Sequence, residues 1–172
     1  MKKFFPSLNK YKNSIFCDNA GGSQVPEQVL KRLNDFIVKK YVQPGGNNIF
    51  SKELSKDLLE INNVTNIFFN NVRGNIVYGN SCSQLVYNLA NSLENIFENG
   101  DEIVLADFSH EACNTPFERI ANKNNVKINW WSLNVNNVDN VNNVYDIDYK
   151  NILKMINNNT KLVVLPHVSN LL

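Results

Sequence analysis

Residues 75–106 read NIVYGNSCSQLVYNLANSLENIFENGDEIVLA, and the change of period along this stretch decides the fold. Asn75-Ile76-Val77-Tyr78-Gly79 is short, β-branched and aromatic, and stops at glycine, which predicts a strand. From Ser83 to Phe97 the apolar residues Leu85, Leu89, Leu93 and Ile96 recur at helical spacing. Asn99-Gly100-Asp101 is a turn, and Glu102-Ile103-Val104-Leu105-Ala106 a second strand. Strand, helix and strand in this order form a βαβ unit with a parallel sheet.

The pattern continues outward. A short helix is expected over 115–121, a third strand over 126–133, a helix over 149–156 and a fourth strand over 161–166. Upstream, Val29, Leu30, Leu33, Phe36, Ile37 and Tyr41 line a helix face, with Pro26 and Glu27 in its first turn. Pro44-Gly45-Gly46-Asn47-Asn48 breaks the chain. Leu54, Leu58, Ile61, Thr65 and Phe68 then mark a second helix, with Ser51 expected as its cap. The expected architecture is α/β: a mostly parallel sheet with helices on both faces over 71–172, preceded by an N-terminal arm and helices over 1–70.

Composition is that of an ordinary globular chain: 43% hydrophobic, 19% charged, net charge +1 over 172 residues. The balance gives no reason to expect nucleic acid or an anionic membrane as partner. No apolar run approaches the roughly 18 to 20 residues of a membrane helix, and no signal-peptide pattern follows Met1, so a cytoplasmic location is expected. Cys17, Cys82 and Cys113 are widely spaced without a CxxC pair, and are expected to be free thiols rather than metal ligands or a disulfide frame. Asparagine is abundant, at 33 residues. It punctuates the hydrophobic patterns without replacing them, which suits turns.

In open α/β sheets ligands bind beyond the strand C-termini, so the loops there are the places to inspect. After the first expected strand, Ser81, Cys82 and Ser83 open a helix, where free N–H groups and the dipole favour a phosphate; the alternative is that Ser81 or Ser83 caps its own helix. After the second comes His110, able to stack on an aromatic cofactor or shuttle protons, or simply be solvated. After the fourth come Ser169 and Asn170, polar groups for a ligand oxygen or for the turn itself. Neither GxGxxG nor GxxxxGK[ST] occurs, which argues against a generic nucleotide-binding domain.

Together these pieces resemble a family. Residues 16–26, FCDNAGGSQVP, are similar to the opening motif of cysteine desulfurase-like members of the class V aminotransferases. Gly45-Gly46-Asn47, the loop Gly79-Asn80-Ser81-Cys82-Ser83 in the place of the family's strand-Gly-x-x-Ser phosphate loop, the His-x-Ala at His110 and the His-x-Ser-Asn ending at Asn170 follow in the family's order. The resemblance implies a pyridoxal 5'-phosphate (PLP) enzyme of fold type I. In it Ser81, Cys82 and Ser83 would hold the phosphate, and His110, the candidate catalytic residue, would stack on the pyridine ring. Asn170 would bond the ring's phenolic oxygen, and Asn19, Ala20 and Gly21 would lie near the substrate. Two positions depart from the family pattern: Cys82 replaces a usual Thr, and Cys113 stands where many relatives have Asn.

The family's cofactor-holding lysine and its ring-nitrogen aspartate lie beyond the equivalent of Leu172. The resemblance therefore implies the N-terminal portion of an amino-acid-processing enzyme, a desulfurase or an aminotransferase, homodimeric when complete. The alternative is a non-catalytic remnant that binds a partner or dimerises with a complete paralogue. Half a parallel sheet is also expected to leave an unpaired edge and to be marginal on its own.

Overall fold

The computed structural model describes residues 2–11, 13–71, 73–133 and 149–169, in two compact units, Met1–Ile76 and Val77–Leu172. In the first, a 3-10 turn (Lys2–Phe4) and α1 (Pro6–Asn9) precede α2 (Glu27–Lys39) and α3 (Ile49–Phe68). Pro26 ends the extended approach to α2, with φ −65° and ψ 148°. Lys40 pairs with Asp57, which ties the end of α2 to α3. The cap of α3 is Asn48 rather than the expected Ser51: its Oδ1 accepts the Ser51 N–H at 2.9 Å. Ser51 instead lies buried one turn in, accepting Gly46 N–H at 3.2 Å and donating to the Gln43 carbonyl. A Cβ on residue 46 would sit 2.8 Å from that hydroxyl, so only glycine lets the turn close on Ser51.

The second unit is a parallel three-stranded sheet of order β2-β1-β3, formed by β1 (Glu102–Ala106), β2 (Lys127–Trp131) and β3 (Thr160–Val164). β1 is central and buried along its whole length, which explains its unbroken apolar run. Leu105 stands opposite Trp130 on β2 and Val164 on β3. The helices of this unit are α4 (Cys82–Leu93), α5 (Glu111–Asn124) and α6 (Tyr149–Met155). Ile103 and Leu105 pack with Ala90 of α4 and Phe117, Ile120 and Ala121 of α5 on one face of the sheet. Val104 and Ala106 pack with Trp131 and Ile152 of α6 on the other. Helices on both faces of a parallel sheet are the architecture the sequence leads one to expect.

Two elements differ from expectation. α5 begins at Glu111, not near 115, although Pro116 lies inside it. A proline this close to the N-terminus removes a single helical bond, and its ring is buried in the core. The segment 75–79 forms no strand. Both sides of β1 are taken by β2 and β3, and among the described residues nothing pairs with the segment, whose Val77 and Tyr78 are exposed.

α3 and α5 end alike. Asn70 (φ 48°) and Asn125 (φ 58°) take the left-handed conformation. The next residue then returns its N–H to a carbonyl five residues back, Asn71 to Asn66 and Val126 to Ala121, each at 2.9 Å, a Schellman closure.

At the N-terminal edge of the sheet, buried Glu102 gathers three donors: Lys127 Nζ at 3.2 Å, and Asn129 and Asn157 Nδ2 at 2.7 Å each. The bonds from Asn157, Asn129 and Lys127 hold its carboxyl below the usual carboxylate range. The folded pKa is depressed, so this stabilisation is complete above the unfolded glutamate value near 4.5 and is lost as pH falls through the lower folded value. In acid unfolding at fixed denaturant, Glu102→Gln is expected to be less stable than wild type at neutral pH, with the gap closing below pH ~4. An unchanged gap down to pH ~2 would remove the carboxylate from this role.

Candidate ligand site at the C-terminal edge of the sheet

The site is built where α4 and α5 begin. The two helices pack side by side and run parallel: Arg119 donates to Asn91 Oδ1, and one turn further along α4 Glu94 pairs with Lys123 and, at 3.7 Å, with Arg119. Both N-termini therefore open in the same direction, and their partial positive ends add.

Ser81 is the α4 cap, its hydroxyl oxygen accepting Gln84 N–H at 3.1 Å, while Gln84 Oε1 accepts Asn80 N–H at 3.0 Å. The capping alternative is thus realised for Ser81. It does not use up the group, because a hydroxyl that accepts an N–H still has its own hydrogen to donate. Among the described residues the N–H groups of Cys82 and Ser83 have no acceptor, as first-turn amides do not. Gly79 brings the chain in close: a Cβ there would lie 2.6 Å from Leu85 Cδ2 and 2.7 Å from its Cγ. Two hydroxyls and two unbonded amides at a helix N-terminus fit a phosphate.

His110 caps α5, its Nδ1 accepting Ala112 N–H at 3.1 Å. The neutral ring in this arrangement carries its proton on Nε2. The ring is exposed at the same end of the sheet as Ser81–Ser83. The loop that delivers it is pinned by Asp107 N–H to Trp131 O and Ser109 N–H to Ala106 O, both 3.1 Å. Buried Asn114 adds a bond from Nδ2 to Ala106 O at 2.9 Å, and Phe108 meets Trp131 edge-on with centroids 5.1 Å apart. Ser109 Oγ and Asn114 Oδ1 are buried without a hydrogen-bond partner. Both line a shallow cavity of about 330 Å³ together with Asp107, Glu111, Glu118 and Trp130. Its three carboxylates make that cavity a poor place for an anion.

Asn19, Ala20 and Gly21 belong to the first unit, in an exposed turn closed by Gly22 N–H to Asp18 O at 3.2 Å. Asn170 lies outside the described residues. Lys161 opens β3 at the far edge, beside Asp101 at 3.8 Å, away from the helix N-termini. Sequence reasoning did not anticipate the bonds that hold α4 to α5, from Arg119 to Asn91 and from Glu94 to Lys123 and Arg119.

A parallel sheet with helices on both faces and two capped helix N-termini at one edge defines an α/β domain, the architecture in which ligands bind beyond the strand C-termini. The chain belongs to the aminotransferase class-V family, whose profile matches residues 15–172. It is 32% identical to the aminotransferase-like protein FGM3 of Gibberella zeae, over 98% of this chain and 40% of that protein. It is 29% identical to a cysteine desulfurase of Wigglesworthia glossinidia brevipalpis, over 98% of this chain and 40% of the relative. Among solved structures, the apo cysteine desulfurase of Thermococcus onnurineus NA1 superposes with a TM-score of 0.82 at 25% identity, again over 98% and 40%. The chain thus spans about two fifths of the length of these relatives. No helix among the described residues is long and apolar enough to cross a membrane.

Proposed function

We propose that this chain is the N-terminal part of a PLP-dependent enzyme acting on an amino acid, desulfurase-like or a class V aminotransferase, homodimeric and cytoplasmic when complete. The observation that carries the reading is the pair of unbonded amides at the start of α4, flanked by the Ser81 and Ser83 hydroxyls. In this reading Ser81, Cys82 and Ser83 hold the phosphate. His110, oriented by its bond to Ala112, lies against the ring as the candidate catalytic residue, and Nε2 is the atom that carries its proton. Asn170 bonds the phenolic oxygen, and Asn19, Ala20 and Gly21 face the substrate. When bound, PLP supplies the electron sink for chemistry at the substrate's α-carbon.

The test begins with the protein isolated from its own cells. An intact mass well above 19.7 kDa, together with retained PLP, supports the reading. A mass of 19.7 kDa without PLP replaces it with the partner-binding remnant. In the PLP-binding protein, Ser83→Ala is expected to weaken PLP about tenfold, the loss of one charge-assisted bond of roughly 1.5–3 kcal/mol at the low end. Pyridoxal, which lacks the phosphate, should be unaffected. Equal weakening of both would move the phosphate away from α4.

A further inference from the structure

The shallow cavity beside His110 is walled mainly by acceptors. Glu111, Asn114 and Glu118 stand at i, i+3 and i+7 of α5 and so share one stripe of that helix. Trp130 follows Ile128 by two residues on β2, and Ile128 packs on the α4 and α5 side of the sheet, so the Trp130 indole belongs to that side too. Asp107 and Ser109 come from the loop between β1 and α5. Together these side chains line about 330 Å³.

Glu111 alone is explained by its place in the first turn of α5, where the helix dipole favours an acid. The other groups are not. The Asn114 side chain, 5% exposed, turns Nδ2 to the Ala106 carbonyl at 2.9 Å, which leaves Oδ1 toward the cavity as a pure acceptor with no partner. Ser109 Oγ is likewise buried and unpaired. Such groups are uncommon, because each has lost its water without a replacement. Among the described residues none of Asp107, Glu111 and Glu118 is in an ion pair. Trp130 is 43% exposed, which leaves indole surface open to a ligand. Among the described residues no three His, Cys, Asp or Glu side chains gather as a metal site, so these carboxylates are spread too widely for a single ion.

We infer that this cavity binds a guanidinium group carried by a small molecule from solution. A guanidinium is planar, always charged, and presents five N–H donors in a fixed fork. It can donate to Asn114 Oδ1, to Ser109 Oγ and to the carboxylates together, while its flat face lies on the indole. An ammonium gathers its three donors at one point and has no flat face to stack. Guanidinium binding here does not depend on the proposed cofactor.

The test is calorimetric titration of the native-length protein with N-acetyl-arginine amide, N-acetyl-lysine amide and magnesium chloride. The acetyl cap removes the α-amine on which the proposed enzyme acts, so binding is separable from turnover. The expected result is saturable binding of the arginine compound, weaker binding of the lysine compound, and no displacement by magnesium at equal ionic strength. Glu118→Gln and Trp130→Leu should each weaken the arginine compound about two- to fivefold. Glu118→Gln keeps the size of the side chain, so it carries the test even if Trp130→Leu fails to fold. No saturable binding would overturn the proposal, as would binding that either folded variant leaves unchanged, since the compound then sits elsewhere. Equal binding of the lysine compound, or displacement by magnesium, would reduce the cavity to an unspecific acidic patch and overturn it as well.

Discussion

Truncating Leu105 to alanine is expected to destabilise the native-length protein by roughly 2–5 kcal/mol, read as a drop in urea midpoint at unchanged slope. Leu105 is fully buried at the centre of β1 and packs with Phe117 and Ile120 of α5. β2 and β3 flank it on either side, at Trp130 and Val164. A side chain held from three directions leaves a cavity that cannot collapse, which places the loss toward the upper end of the range. The equivalent truncation at Leu153, on the exposed side of α6, should stay within about 0.5 kcal/mol. Equal effects at the two positions would mean that the sheet core lies elsewhere.

The second large effect is expected at Gly79. Adding one methyl there places it 2.6 Å from Leu85 Cδ2 and 2.7 Å from Cγ, so either Leu85 leaves its half-buried seat or the turn before α4 moves. Overpacking of this kind costs typically 1–3 kcal/mol. The methyl and the leucine compete for one volume, so Gly79→Ala combined with Leu85→Ala should cost less than the sum of the two single changes. Additive losses in that cycle would show that Gly79 is needed for its backbone angles and not for the approach of Leu85. In the proposed cofactor reading, Gly79→Ala should also weaken PLP, since it displaces the turn that presents Ser81.

The contrast between these two residues shows what the sequence could convey. β1 was legible because a strand buried on both faces is apolar at every position, from Ile103 to Ala106. β2 and β3 were legible by the same signal, weakened as their burial falls. The segment 75–79 carries an equally strong strand pattern, but pattern reports what a backbone can pair with and not whether a partner adjoins it. Pro116 and Asn114 disguised the start of α5, since both commonly break helices. Here the proline packs in the core and the asparagine turns back to the Ala106 carbonyl. At α3 both Asn48 and Ser51 are capping residues by type, and only the turn at Gly45 and Gly46 selects between them. At the candidate site, Ser81 and His110 were identifiable from their places after strands. The bonds from Asn91 and Glu94 to Arg119 and Lys123 depend on which helix lies against which, information that no local window contains.

The Schellman closures of α3 and α5 bear on how this chain tolerates its own composition. It holds 33 asparagines and 7 glycines, and at both helix ends an asparagine, Asn70 and Asn125, does the work usually left to glycine. Asparagine is the non-glycine residue that enters left-handed backbone at least cost. A sequence drifting toward asparagine can therefore lose glycines at such junctions while its helices still stop where they must. Backbone angle admits asparagine at Asn70 and Asn125, whereas Gly46 and Gly79 leave no room for any side chain.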